Sequence, residues 1–174
     1  MEEYLDILKY ILPALIVLVS NYFIIKTFFD KDATKRRFEL KYNNQKLISP
    51  VRLQAYERMI LFLERISPDS LVVRTARPKM TTAQMQKALL GAVRKEFEHN
   101  MSQQIYISVE TWEAVKAAKE SIIKLINTAA SKQNASSPAN VFSSIVIKMY
   151  ASIEESPTET AINMLKDEVH EELL

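Results

Sequence analysis

The chain contains one glycine, Gly91, among its 174 residues. Phosphate-cradling loops, dinucleotide-binding turns and strained nucleophile turns need glycine where the backbone turns sharply or approaches a ligand closely. Gly91 stands alone within a helical pattern, Leu89-Leu90-Gly91-Ala92-Val93, so none of these motifs can be assembled. Turn-rich β-sandwiches are disfavoured for the same reason. The sequence therefore predicts a mainly α-helical protein.

Composition narrows the function classes further. Hydrophobic residues make up 48% of the chain and charged residues 25%, which is ordinary globular usage and argues against general disorder. The chain has no cysteine, so disulfides, thiolate catalysis and cysteine-ligated metals are excluded. A formal net charge of +2 is too small to indicate a nucleic-acid partner.

An apolar run near the N-terminus predicts a membrane anchor. Tyr10 to Ile25 contains no charged residue, and the 20 residues from Tyr10 to Phe29 would rise about 30 Å, the thickness of a hydrocarbon core. Lys26 could extend its ammonium to the interface. We predict a transmembrane helix over residues 1–30; a cleaved signal peptide, a buried core helix and an interfacial helix are the alternatives.

The distribution of cations predicts an orientation for this anchor. The positive-inside rule places the residues after the run in the cytoplasm and the N-terminus outside, giving a single-pass protein of the inner (plasma) membrane. The basic segment, residues 31–48, could also contact anionic lipid headgroups of the bilayer. Its cations are Lys31, Lys35, Arg36, Arg37 and Lys41. The alternative is that these cations serve only as a topology signal.

Ser20 and Asn21 form the one polar pair in the apolar run. They are candidate contacts to a second anchor helix, because hydroxyl and amide groups can hydrogen-bond between helices in lipid. The alternative is that they bond back to their own helix.

The remaining chain reads as a cytoplasmic bundle of about five helices. Capping residues and prolines mark helix starts near Ser49, Thr81, Ser108, Pro138 and Ser156. Residues 49–130 are predicted as a core helical domain, and residues 131–174 as a linker followed by a C-terminal helical hairpin. Two short β-like runs, residues 71–74 and 103–107, leave open one minor strand pair.

The search for chemistry predicts no catalytic residue, no metal site and no cofactor. Each histidine follows an acidic residue by three positions, Glu96 before His99 and Asp167 before His170, which resembles a di-iron ligand pattern. His99 points away from the apolar face of its helix, so solvated helix ends are the better interpretation. The loop from Arg74 to Lys79 is basic, and the alternatives for it are an anionic partner or a simple solvated loop.

Five consecutive apolar residues wrap one predicted helix on all sides. They are Met59, Ile60, Leu61, Phe62 and Leu63. One side of this helix could face the domain core and the other a protein partner or a second copy of the chain. Full burial within one bundle is the alternative.

Three stretches carry a resemblance to a known group of proteins. They are RLQAYERMILFLERISP (52–68), EFEHNMSQQIYIS (96–108) and WEAVKAAKESIIKLIN (112–127). With these stretches the chain resembles an uncharacterised family of small bacterial proteins with a single membrane anchor. The resemblance implies a bacterial origin and an anchor-plus-domain layout, and it brings no activity or functional residues.

Taken together, these patterns favour a non-enzymatic, membrane-tethered interaction or scaffold protein. Its expected partners are the bilayer and another protein or a second copy of itself, with no nucleic acid and no small-molecule substrate. The alternative is an accessory subunit of a membrane transport or envelope-assembly complex. A membrane-bound hydrolase or metalloenzyme is the third class.

Overall fold

A computed structural model describes residues 15, 17, 18, 20–23, 25 and 26, and then residues 49–173 without a break. The chain divides into two compact units, Met1–Ile48 and Ser49–Leu174. In the first unit the described residues are helical and exposed. The rings of Tyr22 and Phe23 meet there edge to face, with centroids 5.8 Å apart.

The predicted transmembrane anchor is wrong. Within the described part of the chain, no helix combines the length and the apolar character that crossing a bilayer requires. The single-pass inner-membrane localisation, with its cytoplasmic domain, is contradicted by the same finding.

All the regular elements that the structure describes in the second unit are helices. Its elements are α1 (residues 49–66), α2 (Pro68–Thr75), α3 (Thr82–Asn100), a 3-10 helix (Met101–Tyr106), α4 (Val109–Ser131), α5 (Ala139–Ala151) and α6 (Pro157–Leu173). The helix α4 lies at the centre and packs against α3, α5 and α6, while α2 packs against α3 and α5.

Local sequence explains where these helices begin. Thr81 precedes α3 in a capping box, because its hydroxyl accepts from the Gln84 amide and its own amide donates to the Gln84 side chain. Ser108 precedes α4 and accepts from the Thr111 amide. Pro157 is the first residue of α6, where a missing backbone donor costs nothing.

The predicted strand pair is wrong. Residues 71–74 lie in α2, and residues 103–106 lie in the 3-10 helix. Pro68 starts α2, and Leu71 and Val72 then bury one face of it. Tertiary burial of that face outweighs the β-propensity of a Leu-Val-Val run. The described part of this unit therefore has six α-helices and a 3-10 helix, whereas the sequence predicted about five helices.

The core of the second unit joins α1, α3 and α4 through aromatic side chains. The Phe97 ring stacks on Trp112 with centroids 5.5 Å apart, and Phe62 lies 5.8 Å from Phe97. The Lys119 ammonium sits over the Phe97 ring at 4.1 Å, a cation–π contact. Burial of these rings fixes the faces that α1 and α3 turn toward solvent.

The serine-rich segment between α4 and α5 is held against the start of α3. The Ser137 carbonyl accepts from the Thr82 amide at 2.8 Å, and the Ala135 carbonyl accepts from the Ala83 amide at 3.1 Å. Ala139 donates in return to the Met80 carbonyl at 3.0 Å. These bonds satisfy first-turn donors of α3, which no residue within that helix can pair.

Candidate anion-binding cleft

The five apolar residues of α1 singled out in the sequence lie mostly in the core. Met59, Phe62 and Leu63 are at most 1% exposed, and Ile60 is half-buried against the core. Leu61 is 60% exposed and is the member of this group that remains open to a partner. A partner contact through this segment stays a prediction, and Leu61 is the one side chain of the group that is exposed enough to make it.

The other residues singled out in the sequence lie in the first unit. The Ser20 hydroxyl donates to the Val17 carbonyl at 3.2 Å, and Ser20 and Asn21 are exposed. Their predicted contact to a second anchor helix depended on a spanning helix, which the structure contradicts. The basic cluster lies outside the described residues. Its members are Lys31, Lys35, Arg36, Arg37 and Lys41.

An open cleft of about 800 Å³ lies between the end of α1, α2 with the loop that follows it, and one face of α3. Its cationic side chains are Arg65, Arg74, Arg77 and Lys95, and its one carboxylate is Glu96. Its remaining lining residues are Thr75, Met80, Ala88, Ala92 and His99. Four cations against one carboxylate leave a formal charge of +3 with the histidine neutral.

Helical spacing explains why α3 contributes so much of the cleft. Ala88, Ala92, Glu96 and His99 follow one another at three or four positions, and Lys95 lies three positions after Ala92, so the five share one side of the helix. The core face of α3 carries Leu89 and Val93 instead. Small alanines therefore form the floor of the cleft, and charged side chains form its rim.

Two arginines in the cleft share a single carboxylate oxygen. Glu96 Oε1 lies 2.9 Å from Arg65 Nη2 and 3.1 Å from Arg74 Nη1. Arg74 Nη2 also donates to the Arg65 carbonyl at 3.0 Å, near the C-terminus of α1, where carbonyls lack helical partners. Arg74 is thus held by two contacts, one to Glu96 and one to the Arg65 carbonyl. The Arg65 side chain is 52% exposed, and its guanidinium contacts Glu96.

The loop between α2 and α3 projects Arg77 over the cleft. Pro78 is followed by Lys79, whose φ of 66° lies in the left-handed region. A proline followed by a residue of positive φ is the arrangement of a type II turn, in which glycine or asparagine is usual. The backbone carries a conformational cost at Lys79 that the surrounding structure has to offset.

Arg77 and Lys95 are the uncompensated cations of the cleft. Within the described part of the chain, neither has a carboxylate within ion-pair distance. Arginine presents a planar set of donors that matches carboxylate and phosphate oxygens, and lysine adds a mobile point charge. The arrangement can therefore bind an anionic group that is attached to a small apolar body.

A second polar cluster is buried where α1, the start of α4 and α6 meet, and it is structural. The Glu168 carboxylate, 9% exposed, accepts from the Tyr56 hydroxyl at 2.7 Å and from the Ser108 amide and hydroxyl at 2.8 Å each. Arg52 lies 3.9 Å from the carboxylate and donates to the Tyr56 hydroxyl at 2.9 Å.

Burial and hydrogen bonding set the proton affinities in this cluster. Burial by itself would raise the pKa of Glu168, but hydrogen bonds from Thr111, Tyr56 and Ser108 stabilise the carboxylate and bring its pKa below the ordinary value. Burial, together with the bond to Glu168, raises the pKa of Tyr56 to about 12. Glu168 therefore stays deprotonated and Tyr56 stays protonated over a wide range of pH around neutrality.

Comparison with known proteins gives a family but no activity. A family of unknown function, DUF7935, matches residues 2–172. The chain belongs to this family. No curated protein and no solved structure matches it. Because the DUF7935 match spans both units, the cleft and the buried cluster both lie inside the family's region.

Sequence reasoning found only part of the cleft in this DUF7935 member. The loop from Arg74 to Lys79 was recognised as basic, whereas Arg65 and Lys95 were missed because each lies on a separate helix, distant in sequence from that loop. A usable signal was present in α3, where alanines and charged residues alternate at helical spacing on one face. Glu168 was missed too, although it lies three residues after the inward-facing Leu165.

Proposed function

We propose that the chain is a non-enzymatic interaction protein whose helical unit, residues 49–173, binds an acidic segment of a partner protein in the basic cleft. The observation that carries the proposal is the surplus of positive charge at Arg77 and Lys95. It lies in an open cleft whose one carboxylate is already shared by two arginines. Complementary charge at such a site provides specificity and a faster association rate.

A protein segment fits this cleft better than a nucleic acid. Single-stranded nucleic acids bind to grooves that combine cations with aromatic side chains on which the bases stack. The described lining of this cleft has no phenylalanine, tyrosine or tryptophan, and the nearby Phe62 is buried in the core. Met80, Ala88 and Ala92 offer apolar surface for small aliphatic side chains beside the acidic ones.

The groups that line the cleft favour binding over catalysis. Arginine and lysine stay protonated at neutral pH, so they can position an anion without accepting a proton. Thr75 is the one hydroxyl in the described lining, and no hydrogen bond joins it to His99 there. A nucleophile activated by an adjacent base would need such a contact.

A pair of matched variants tests this proposal. Arg77→Glu/Lys95→Glu reverses the two surplus cations of the cleft. Lys87→Glu/Arg94→Glu makes the same change in net charge at exposed positions of α3 that do not line the cleft. The probe is a fluorescent glutamate-rich peptide with interspersed alanine, titrated with each protein at low and at physiological salt.

The cleft variant is expected to lose at least about tenfold in affinity, and the control variant to change by less than about threefold. Equal losses in both variants would show that net charge alone attracts the peptide. Tighter binding of a single-stranded oligonucleotide than of the peptide would also contradict the proposal.

Two earlier expectations remain open beside this proposal. The bacterial origin implied by the resemblance stays a prediction. So does the alternative role as an accessory subunit of a transport or envelope-assembly complex, for which the basic cleft would serve as the contact to a neighbouring subunit.

A further inference from the structure

Glu96 already fills part of the anion-binding surface of the cleft. Its Oε1 atom accepts from Arg65 and from Arg74, and its side chain is 20% exposed. Any anionic group that enters between these two arginines meets a carboxylate of the protein in the same place. In the unliganded protein Glu96 therefore acts as an internal counter-anion.

Building on the proposed function, we propose that Glu96 is the specificity-determining residue of the cleft and that it selects a phosphorylated side chain of the partner segment over a carboxylate. A partner carboxylate that displaces Glu96 from Arg65 exchanges one monoanion for another of the same shape. That exchange gains no Coulomb energy and still costs the entropy of association.

A phosphoryl group changes this balance. At neutral pH it carries a charge of about −1.5 to −2 and three acceptor oxygens. One oxygen would take over Arg65, and the others remain available to Arg77 and Lys95, which line the same cleft and have no carboxylate partner among the described residues. Charge-assisted hydrogen bonds to arginine forks are among the stronger polar contacts in proteins. The dianion therefore outcompetes Glu96 where a monoanion does not.

The two arginines have different parts in this exchange. Arg74 is held by both Glu96 and the Arg65 carbonyl, so it keeps its position when a ligand enters. Arg65 is 52% exposed and its guanidinium contacts Glu96 from the edge of the cleft, so it can turn toward a ligand. Arg74 therefore stays in place and keeps its ion pair with Glu96. Arg65 exchanges its ion pair with Glu96 for one with the ligand.

Three peptides that differ at one position test the proposal. They share an acidic sequence and carry serine, phosphoserine or glutamate at its centre. Each is titrated into the wild-type protein, into Glu96→Gln and into a control, Glu98→Gln, which neutralises an exposed carboxylate of α3 outside the cleft. Circular dichroism establishes that each variant is folded.

The wild-type protein and Glu98→Gln should bind the phosphoserine peptide about tenfold tighter than the glutamate peptide. In Glu96→Gln both peptides should bind more tightly, and the preference should fall to about twofold, because the carboxylate no longer faces an internal competitor. As a second variant, Arg65→Lys keeps the charge without the fork and should weaken the phosphoserine peptide more than the glutamate peptide.

Three outcomes would overturn this inference. They are equal affinity of the wild-type protein for the phosphoserine and glutamate peptides, an unchanged preference in Glu96→Gln, and competition by inorganic phosphate as effective as that by the phosphopeptide. The last would identify a site for free phosphate. Binding of none of the acidic peptides would instead remove the proposed function itself, so the two failures are distinguishable.

Discussion

The hydroxyl of Tyr56 donates to the carboxylate of Glu168 at 2.7 Å, across 112 residues of sequence. This bond joins α1 to α6, the first and last helices of the second unit. The same carboxylate accepts from the Ser108 amide at the start of α4, so one buried side chain ties three helices together. Truncation of a buried, hydrogen-bonded charge of this kind leaves several donors without a partner.

Glu168→Gln should lower the free energy of unfolding by about 2 kcal/mol, because the amide cannot accept all the bonds that the carboxylate accepts. Urea unfolding followed by circular dichroism measures this loss. Glu171→Gln is the control, since Glu171 is exposed on the same helix, and it should change the free energy by less than about 0.5 kcal/mol. Equal effects of the two substitutions would contradict the assigned role of Glu168.

The lowered pKa of Glu168 predicts how the stability of the protein depends on pH in the acid range. Because folding lowers the pKa of Glu168, its contribution is fully present above its ordinary value of about 4.5 and is lost as the pH falls through the folded-state value. The difference in unfolding free energy between the wild-type protein and Glu168→Gln should therefore shrink below about pH 4.5. A difference that stayed constant as the pH fell well below that value would show that the charge of Glu168 does not stabilise the fold.

Adjacent residues of α1 should respond very differently to truncation. Phe62 is 1% exposed and Leu61 is 60% exposed. Phe62→Ala should cost about 3 to 5 kcal/mol, because it opens a cavity beneath Phe97, whereas Leu61→Ala should cost less than about 0.5 kcal/mol. Thermal unfolding of the two variants compares them directly. A large loss of stability in Leu61→Ala would mean that a second surface covers this side chain in solution.

Substitution of Gly91 by alanine is expected to stabilise the protein. It lies inside α3 and is exposed, and a Cβ atom added there would meet no other atom within 4 Å. Gly91→Ala should therefore raise the free energy of unfolding by about 1 kcal/mol, through helix propensity alone. The reverse change at an exposed position of α4, Ala117→Gly, should lower it by a similar amount. A destabilised Gly91→Ala would indicate a contact at this position that the isolated chain lacks.

Local sequence was sufficient for most of these helices and was insufficient for α2. The starts of α3, α4 and α6 could be located because Thr81, Ser108 and Pro157 supply their own signals. The helix α2 could not, since its eight residues contain a Leu-Val-Val run whose helical state depends on burial against α3 and α5. Short apolar runs have no periodicity that separates the two states.

The uncharged run from Tyr10 to Ile25 led to a prediction that the structure contradicts. Its composition satisfied the rule for a spanning helix, yet no helix of the described residues is long and apolar enough to cross a membrane. The cleft needed tertiary information as well, because Arg65, Arg74 and Glu96 come from three separate helices. Only the basic loop could be found without the fold.

The most direct test of the proposed cleft is an NMR titration of the isotope-labelled protein with the acidic phosphoserine peptide, with backbone amide shifts as the readout. We expect the largest shifts in the loop at residues 76–80 and on the cleft face of α3 around Lys95, Glu96 and His99. Amides near the buried Glu168 should stay unchanged. Shifts spread evenly over the surface, or concentrated away from α2 and α3, would contradict the account.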